Sequence, residues 1–346
     1  MTDFAARVLS WFDNHGRKDL PWQQDINPYR VWISEIMLQQ TQVQTVIPYY
    51  ERFMQSFPDL QSLAEADIDS VLQHWSGLGY YARARNLHQA AGVIRDDFSG
   101  EFPTAFDDVV ELPGIGRSTA GAILAIAGKQ RHSILDGNVK RVLARHAAVA
   151  GWPGKTDVSK QLWVLAEART PQQRVADYTQ AIMDLGATLC TRSKPNCAAC
   201  PVASDCEAHI ADDVTAYPGR KPKKVKPLRQ TTMVIAIDNA AVFLQRRPPV
   251  GIWGGLWSLP EVVDVSDWCR ATLNVEPGET EERQVLRHSF SHYDLDIKPV
   301  VVHVAAASRK VADSPDMTWY VPDEEPPGGI AAPVQQIINS LRINNH

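Results

Sequence analysis

Four cysteines crowd into one stretch, CTRSKPNCAACPVASDC, at Cys190, Cys197, Cys200 and Cys206, a C-x6-C-x2-C-x5-C arrangement. The N-terminus, MTDFAARVLSWFDNHGRKDL, has neither the basic start nor the unbroken apolar run of a secretion signal, so thiols this dense point to a metal site before disulfides. All-cysteine zinc sites commonly use two C-x2-C knuckles across a longer loop, and only one knuckle is present. A 4Fe-4S cluster takes a different thiolate at each iron and accepts uneven spacing, so spacing favours iron-sulfur and leaves zinc as the alternative. Cys269 stands apart, where a buried apolar role is expected.

Two acids occupy positions where a carboxyl group could do unusual work. Glu35 sits among Trp32, Ile33, Ile36, Met37 and Leu38 in VWISEIMLQQTQV. Facing inward, it would ionise reluctantly, as a proton donor at neutral pH must; facing outward, it would be an ordinary solvated glutamate. Asp136 precedes Gly-Asn at a predicted helix start, LDGNVKRVLAR, where helix capping is the plain role. Upstream, ELPGIGRSTAGAILAIA, Glu111 to Ala127, reads as a Gly-rich turn entering an amphipathic helix. Gly114 and Gly116 are expected to take positive φ and to leave main-chain N–H groups facing outward, where a phosphate oxygen can bind.

The surrounding chain must position these groups. Its 346 residues, 44% hydrophobic and 22% charged, suffice for two cores. Residues 1–217 carry apolar residues three and four apart, as in FAARVLSWF, VLQHW, VKRVLARHAAV and YTQAIMDLGATL, and predict a mainly α domain. PGRKPKKVKPLRQ, residues 218–230, reads as an exposed basic linker. From 231 to 346 short β-rich runs, TTMVIAID, AVFLQRR and LDIKPVVVHV, with a helix over Pro333 to Leu341, predict an α+β domain. No stretch approaches bilayer length, so a cytoplasmic protein without membrane contact is expected. The net charge of −5 argues mildly against nucleic acid, yet basic residues gather at Arg83 and Arg85, at Lys140, Arg141 and Arg145, at Arg192 and Lys194, and along Arg220, Lys221, Lys223, Lys224, Lys226 and Arg229.

Together, the cysteine spacing, the LPGIG hairpin and LDGNVKRVLAR resemble the helix-hairpin-helix DNA glycosylases related to endonuclease III. The resemblance implies a 4Fe-4S cluster on the four cysteines, with Arg192 and Lys194 in the loop over 190–206 aimed at DNA phosphates. It also implies a phosphate-binding hairpin at Leu112, Gly114 and Gly116 (about residues 111–127), accompanied by a monovalent cation. In that family the aspartate matching Asp136 is the essential carboxylate, which stabilises the oxocarbenium-like transition state of N-glycosidic cleavage; Asn138 would orient it. The match extends over both domains to the adenine-specific branch of the MutY type. There the glutamate matching Glu35 protonates adenine at N7; Trp22, Leu38, Ser118 and Gln180 would form the adenine pocket. Gln40 and Tyr80 would wedge into the duplex, and Thr41 would touch the opposite base.

Bifunctional relatives carry a Schiff-base lysine after the Gly-x-Gly-Arg of the hairpin, and here that position is Ser118. A hydroxyl forms no imine, so a monofunctional glycosylase is expected, with only Lys18, Lys129 and Lys140 as weak substitutes. GIWGGLWSLPE and the strands after it resemble the MutT-like (Nudix) fold, but GETEERQVLRHS departs from R-E-x-x-E-E, so pyrophosphate hydrolysis is not expected. The resemblance instead implies recognition of 8-oxoguanine by Phe290, Ser291 and His292. The expected substrate is double-stranded DNA with A:8-oxoG or A:G mispairs, processed by a monomer that is nucleoid-associated if the cell is bacterial. A pyrimidine-lesion glycosylase/lyase is opposed by Ser118 and the second domain, and a non-catalytic iron-sulfur or DNA-binding module by the pair Glu35 and Asp136.

Overall fold

Helical periodicity in the first part of the chain becomes a succession of short helices in the computed structural model, which describes residues 3–222, 225–304 and 314–341. The residues group into two units, Met1–Glu65 with Asn86–Lys223 and Ala66–Arg85 with Lys224–His346. Lys223 and Lys224 of the basic run lie outside the described residues.

In the first unit, the Asp3–His15 helix buries Phe4, Ala5, Val8, Leu9 and Phe12 on one face, as its spacing requires. These side chains join Leu135, Val139, Val142, Leu143, Tyr178 and Ile182 in one core. The run VWISEIMLQQTQV, read as one helical stretch, is divided. Its helix, Pro28–Leu38, opens with Asn27 accepting from Arg30 N–H at 2.9 Å and with proline in the first turn. It closes at Leu38, Gln40 takes a left-handed φ of 59°, and a new helix runs Val43–Ser56. The hairpin joins helices Phe106–Glu111 and Arg117–Ile126, and Asp136 heads the helix Gly137–His146. The helix Val175–Asp184 continues into a π-helical turn, Leu185–Leu189, that delivers Cys190.

The second unit contains a mixed sheet of β1 (Leu228–Asp238), β2 (Ala241–Arg246), β3 (Trp257–Ser258), β4 (Glu261–Val262), β5 (Thr280–Glu282), β6 (Leu286–Ser289), β7 (Asp294–His303) and β8 (Met317–Tyr320). The strand order β3-β2-β1-β7-β5 places a parallel pair, β1 and β7, at the centre, with Val234 opposite Val300; the other pairings are antiparallel. Val234, Ala236, Phe243, Cys269, Val300 and Val302 form its core, which gives Cys269 the buried place expected of it. The expected helix is present as Ala332–Leu341.

Two boundaries differ from the sequence reading. The segment Ala66–Arg85, including the helix Ile68–His74, belongs to the unit that holds the sheet. Its Asp69 pairs with Arg246 of β2, an ion pair that no local pattern reveals. The expected linker is also shortened from both ends. Gly219 N–H donates to Gly151 O at 2.9 Å, and Leu228 already pairs in β1 with Asp294. No helix among the described residues is long and apolar enough to cross a membrane.

Candidate active site

A cleft of about 770 Å³ opens in the helical unit, lined by Trp22, Glu35, Leu38, Gln40, Thr41, Ser118, Asp136, Asn138, Gln180 and Arg192 among others. It gathers both acids and the expected adenine-pocket residues. Tyr80 and the turn Phe290–His292 belong to the other unit, and Lys194 is exposed and outside the cleft lining.

Glu35 and Asp136 reach the cleft from different helices and carry different proton affinities. Burial pushes the Glu35 carboxyl up to about 8, with the negative charge of Asp136 adding to the rise. Burial also raises Asp136, but the N–H groups of Val139 and Asn138 and the cations of Arg141 and Lys140 oppose the rise. The carboxylate accepts from Val139 N–H at 2.7 Å, so Asp136 is the N-cap as well as a cleft residue. The capping bond holds its orientation. At neutral pH Glu35 therefore keeps its proton, while the N–H groups and cations around Asp136 favour its anion against burial, so the two carboxyl groups of one cleft stand in different surroundings.

The hairpin reaches this pair through Ser118, whose hydroxyl accepts from Leu135 N–H at 2.9 Å. Gly114 has the expected positive φ, 78°, and a Cβ there would meet Asn86 Cβ at 2.8 Å. Gly116 differs: its φ is −96°, because it is the extended N-cap of Arg117–Ile126. What glycine leaves open there is the surface, since a Cβ would meet nothing within 4 Å.

Further residues hold the cleft, and the sequence reading did not single them out for this. Asp184 is fully buried, accepts from Gln180 Nε2 at 2.8 Å and pairs with Arg17 at 2.6 Å. The spacing of Gln180 and Asp184, four apart on one helix, was an available signal. Arg141 donates to Asn138 Oδ1 at 2.8 Å, Gly186 O at 2.6 Å and Cys190 O at 2.7 Å. The Asn138 side chain is thus held by Arg141, and it is the Asn138 backbone N–H that bonds Asp136.

The basic clusters also need correction. Arg145 is 2% exposed and Arg83 is 8% exposed, so neither belongs to an open cationic patch. Arg145 donates to the carbonyls of Thr191, Arg192, Val214 and Tyr217 and lies 3.3 Å from Cys190 Sγ. A buried guanidinium calls for a counter-charge, which a deprotonated Cys190, its Sγ at 3.3 Å, would supply.

Cys190, Cys197, Cys200 and Cys206 are unbridged and line one pocket with Arg145 and His209. Burial raises Cys197, Cys200 and Cys206, pushing Cys200 up to about 11, and the neighbouring thiols raise each further. Thiols this close cannot all ionise without a cation among them, and Arg145 supplies only part of that charge. The four-thiol donor set therefore suits a thiolate-bound metal group, iron-sulfur or zinc. Among the described residues, no three His, Cys, Asp or Glu side chains close on a point as ligands of a single ion.

Residues 33–187 match the HhH-GPD superfamily base excision DNA repair protein family, and residues 231–340 match the NUDIX domain. Adenine DNA glycosylase of Buchnera aphidicola subsp. Acyrthosiphon pisum is 36% identical over 99% of this chain and 98% of its own length. That of Mus musculus is 38% identical over 92% of this chain and 74% of its own. Among solved structures, a thermostable thymine-DNA glycosylase covers 60% of this chain and 95% of its own, with a TM-score of 0.55 and 26% identity. A trapped endonuclease III–DNA covalent intermediate gives a TM-score of 0.51 over 60% of this chain and 94% of its own at 19% identity, a likeness of fold. The chain belongs to the adenine DNA glycosylase family.

Proposed function

We propose that this chain excises adenine from A:8-oxoG and A:G mispairs in duplex DNA and leaves an abasic site. The observation that carries the proposal is the pairing of two cleft acids in different surroundings, Glu35 pushed up to about 8 by burial, and Asp136 accepting backbone N–H groups beside Arg141 and Lys140, which favour its anion against the burial that raises it. Adenine is a poor leaving group as an anion, so a neutral Glu35 donates its proton to N7 as the glycosidic bond lengthens. Positive charge builds on the sugar, and the fixed Asp136 carboxylate stabilises it. The flipped base enters between Trp22, Leu38, Ser118 and Gln180, all of which line the cleft. Gln40 and Tyr80, whose left-handed φ values of 59° and 52° carry their side chains away from a helical path, fill the vacated stack, and Thr41 meets the opposite base. Water is the final acceptor, because Ser118 offers no amine.

The hairpin at Leu112, Gly114 and Gly116, which would hold a monovalent cation, grips a phosphate, and Arg192 and Lys194 add basic contacts. Cys190, Cys197, Cys200 and Cys206 would hold a 4Fe-4S cluster, which when bound supplies cross-linking and counter-charge for the loop carrying Arg192 and Lys194. Phe290, Ser291 and His292 read the oxidised base, whose N7–H guanine lacks. The enzyme works as a monomer on DNA in the cytoplasm, associated with the nucleoid if the cell is bacterial.

A nicking assay on A:8-oxoG, A:G and oxidised-pyrimidine duplexes, with and without alkali, tests the reading. Alkali-dependent cleavage of the adenine strand is the expected result. Spontaneous cleavage at an oxidised pyrimidine, or no cleavage of any duplex, would overturn it.

A further inference from the structure

The turn assigned above to the opposite base is small and mostly open. Phe290 N–H closes it onto Tyr293 O at 2.9 Å, and Lys226 Nζ donates to Phe290 O at 2.6 Å. Ser291 and His292 are exposed, so their placement depends on what holds Phe290. Its ring packs on Tyr293 (4.8 Å between centroids), on His288 (4.6 Å, edge to face) and on Trp253 (5.3 Å), and Trp253 in turn touches His288 at 5.6 Å.

Trp253 is an odd residue for its backbone. It lies at φ 54°, flanked by Gly251 and Gly255 with positive φ, where a third glycine would cost nothing. A bulky side chain in the left-handed region is strained and persists only where its surroundings over-determine it. Here they do. Arg247 donates from Nε to Ile252 O at 3.0 Å and sets its guanidinium 5.7 Å from the Trp253 ring centre, while Glu261 holds the same guanidinium at 2.6 Å. Arg85 donates to Gly254 O at 2.7 Å. Arg85 ends the segment that carries Tyr80, which is 54% exposed and grouped in the same unit. Trp253 thus stands between two elements assigned to the lesion, joined to one through Arg85 and to the other through the Phe290 ring.

We propose that Trp253 is a positioning residue for recognition of the base opposite adenine, its strained, clamped ring setting the place of Phe290 and hence of Ser291 and His292. The inference rests on the reading that this turn contacts that base. Burial of an aromatic ring for stability would need neither the left-handed backbone nor the two arginine anchors at this point.

The test uses the full chain and single-turnover adenine release from duplexes with 8-oxoguanine or guanine opposite adenine. Trp253→Ala is expected to lower the 8-oxoguanine preference about tenfold, the size of one lost hydrogen-bonded contact, while A:G release changes little. Trp253→Phe should restore most of the preference, since it keeps a ring against Phe290. Arg85→Met, which releases Gly254 without opening a cavity at the ring, should give a smaller loss in the same direction and decides the matter if Trp253→Ala does not fold. His292→Ala probes the underlying reading separately. If His292→Ala removes the preference while Trp253→Ala and Arg85→Met leave it intact, the inference falls and the reading stands. If His292→Ala also leaves it intact, the reading itself falls. Equal slowing on both duplexes by Trp253→Ala, with no rescue by phenylalanine, would reduce Trp253 to a structural residue and overturn the proposal.

Discussion

Replacing Glu35 with glutamine should make the helical unit more stable at neutral pH while removing most of its activity. The Glu35 carboxyl has an ordinary value of 4.5 and is pushed up to about 8 by burial in the cleft. The folded state therefore binds its proton more tightly than the unfolded state does. That contribution is fully present below pH 4.5 and is lost as pH rises through 8. At about 1.4 kcal/mol per pH unit, the interval from 4.5 to 7 corresponds to about 3 kcal/mol of stability forgone at neutral pH. Glutamine keeps the shape and cannot ionise, so the variant should regain that amount at pH 7 and nothing near pH 4.5. For a unit of this size, 3 kcal/mol corresponds to a rise in Tm on the order of 5–10 °C. Thermal unfolding of both proteins at pH 5 and pH 7.5 measures the stability difference. Single-turnover adenine release across pH 5 to 9 measures the acid, since the native rate should fall about tenfold per unit above pH 8 and the glutamine variant should be slow without that limb. A variant no more stable at pH 7.5 than the native chain, or a stability difference that does not shrink toward pH 5, would mean that Glu35 is ionised in the free protein, and the proton-donor argument would fail.

Two further outcomes follow from the cleft. Ser118→Lys places an amine on the wall of the cleft that Asp136 also lines, and borohydride should then trap a covalent enzyme–DNA adduct that the native chain does not form; the loss of the hydroxyl that accepts from Leu135 N–H should cost about 1 kcal/mol in thermal unfolding. Gly186→Ala would bring a Cβ to 2.6 Å from Asn138 Cβ and 3.0 Å from Asn138 O, crowding the residue whose backbone N–H bonds Asp136; chemical denaturation should register a loss of about 1–3 kcal/mol, and adenine release should slow at unchanged duplex affinity.

The residues proposed to carry chemistry were legible because their types are unusual for their places. A glutamate among apolar neighbours, an aspartate ahead of Gly-Asn, and four crowded cysteines each depart from what a plain helical protein would contain. Gln40 was legible only through resemblance, since helical spacing runs through LQQTQV and gives no sign of the turn at φ 59°. Periodicity identifies a buried face and leaves its partner open. It therefore could not assign Ala66–Arg85 to the sheet-bearing unit, a grouping that depends on such distant pairs as Asp69 with Arg246. The same limit misread Arg145, which sits in a basic run and looks like surface. Its guanidinium instead ties together backbone carbonyls around the cysteines, and only the fold brings those carbonyls to one point.

Residue type alone also left open which acid would donate and which would stabilise in the proposed reaction. Both carboxyl groups are enclosed in one cleft, and enclosure by itself would keep both neutral. The difference lies in what each accepts. Asp136 heads a helix and takes backbone N–H groups from Val139 and Asn138, with Arg141 and Lys140 nearby, all of which favour its anion. For Glu35 the forces that shift it, burial and the Asp136 charge, both favour the neutral acid. The N-cap role that would make Asp136 an ordinary aspartate is thus what favours its anion in the cleft, and the charge of that anion pushes Glu35 toward its neutral form. The capping reading and the catalytic reading of Asp136 describe one arrangement, in which a helix start fixes an anion and the anion holds its partner neutral.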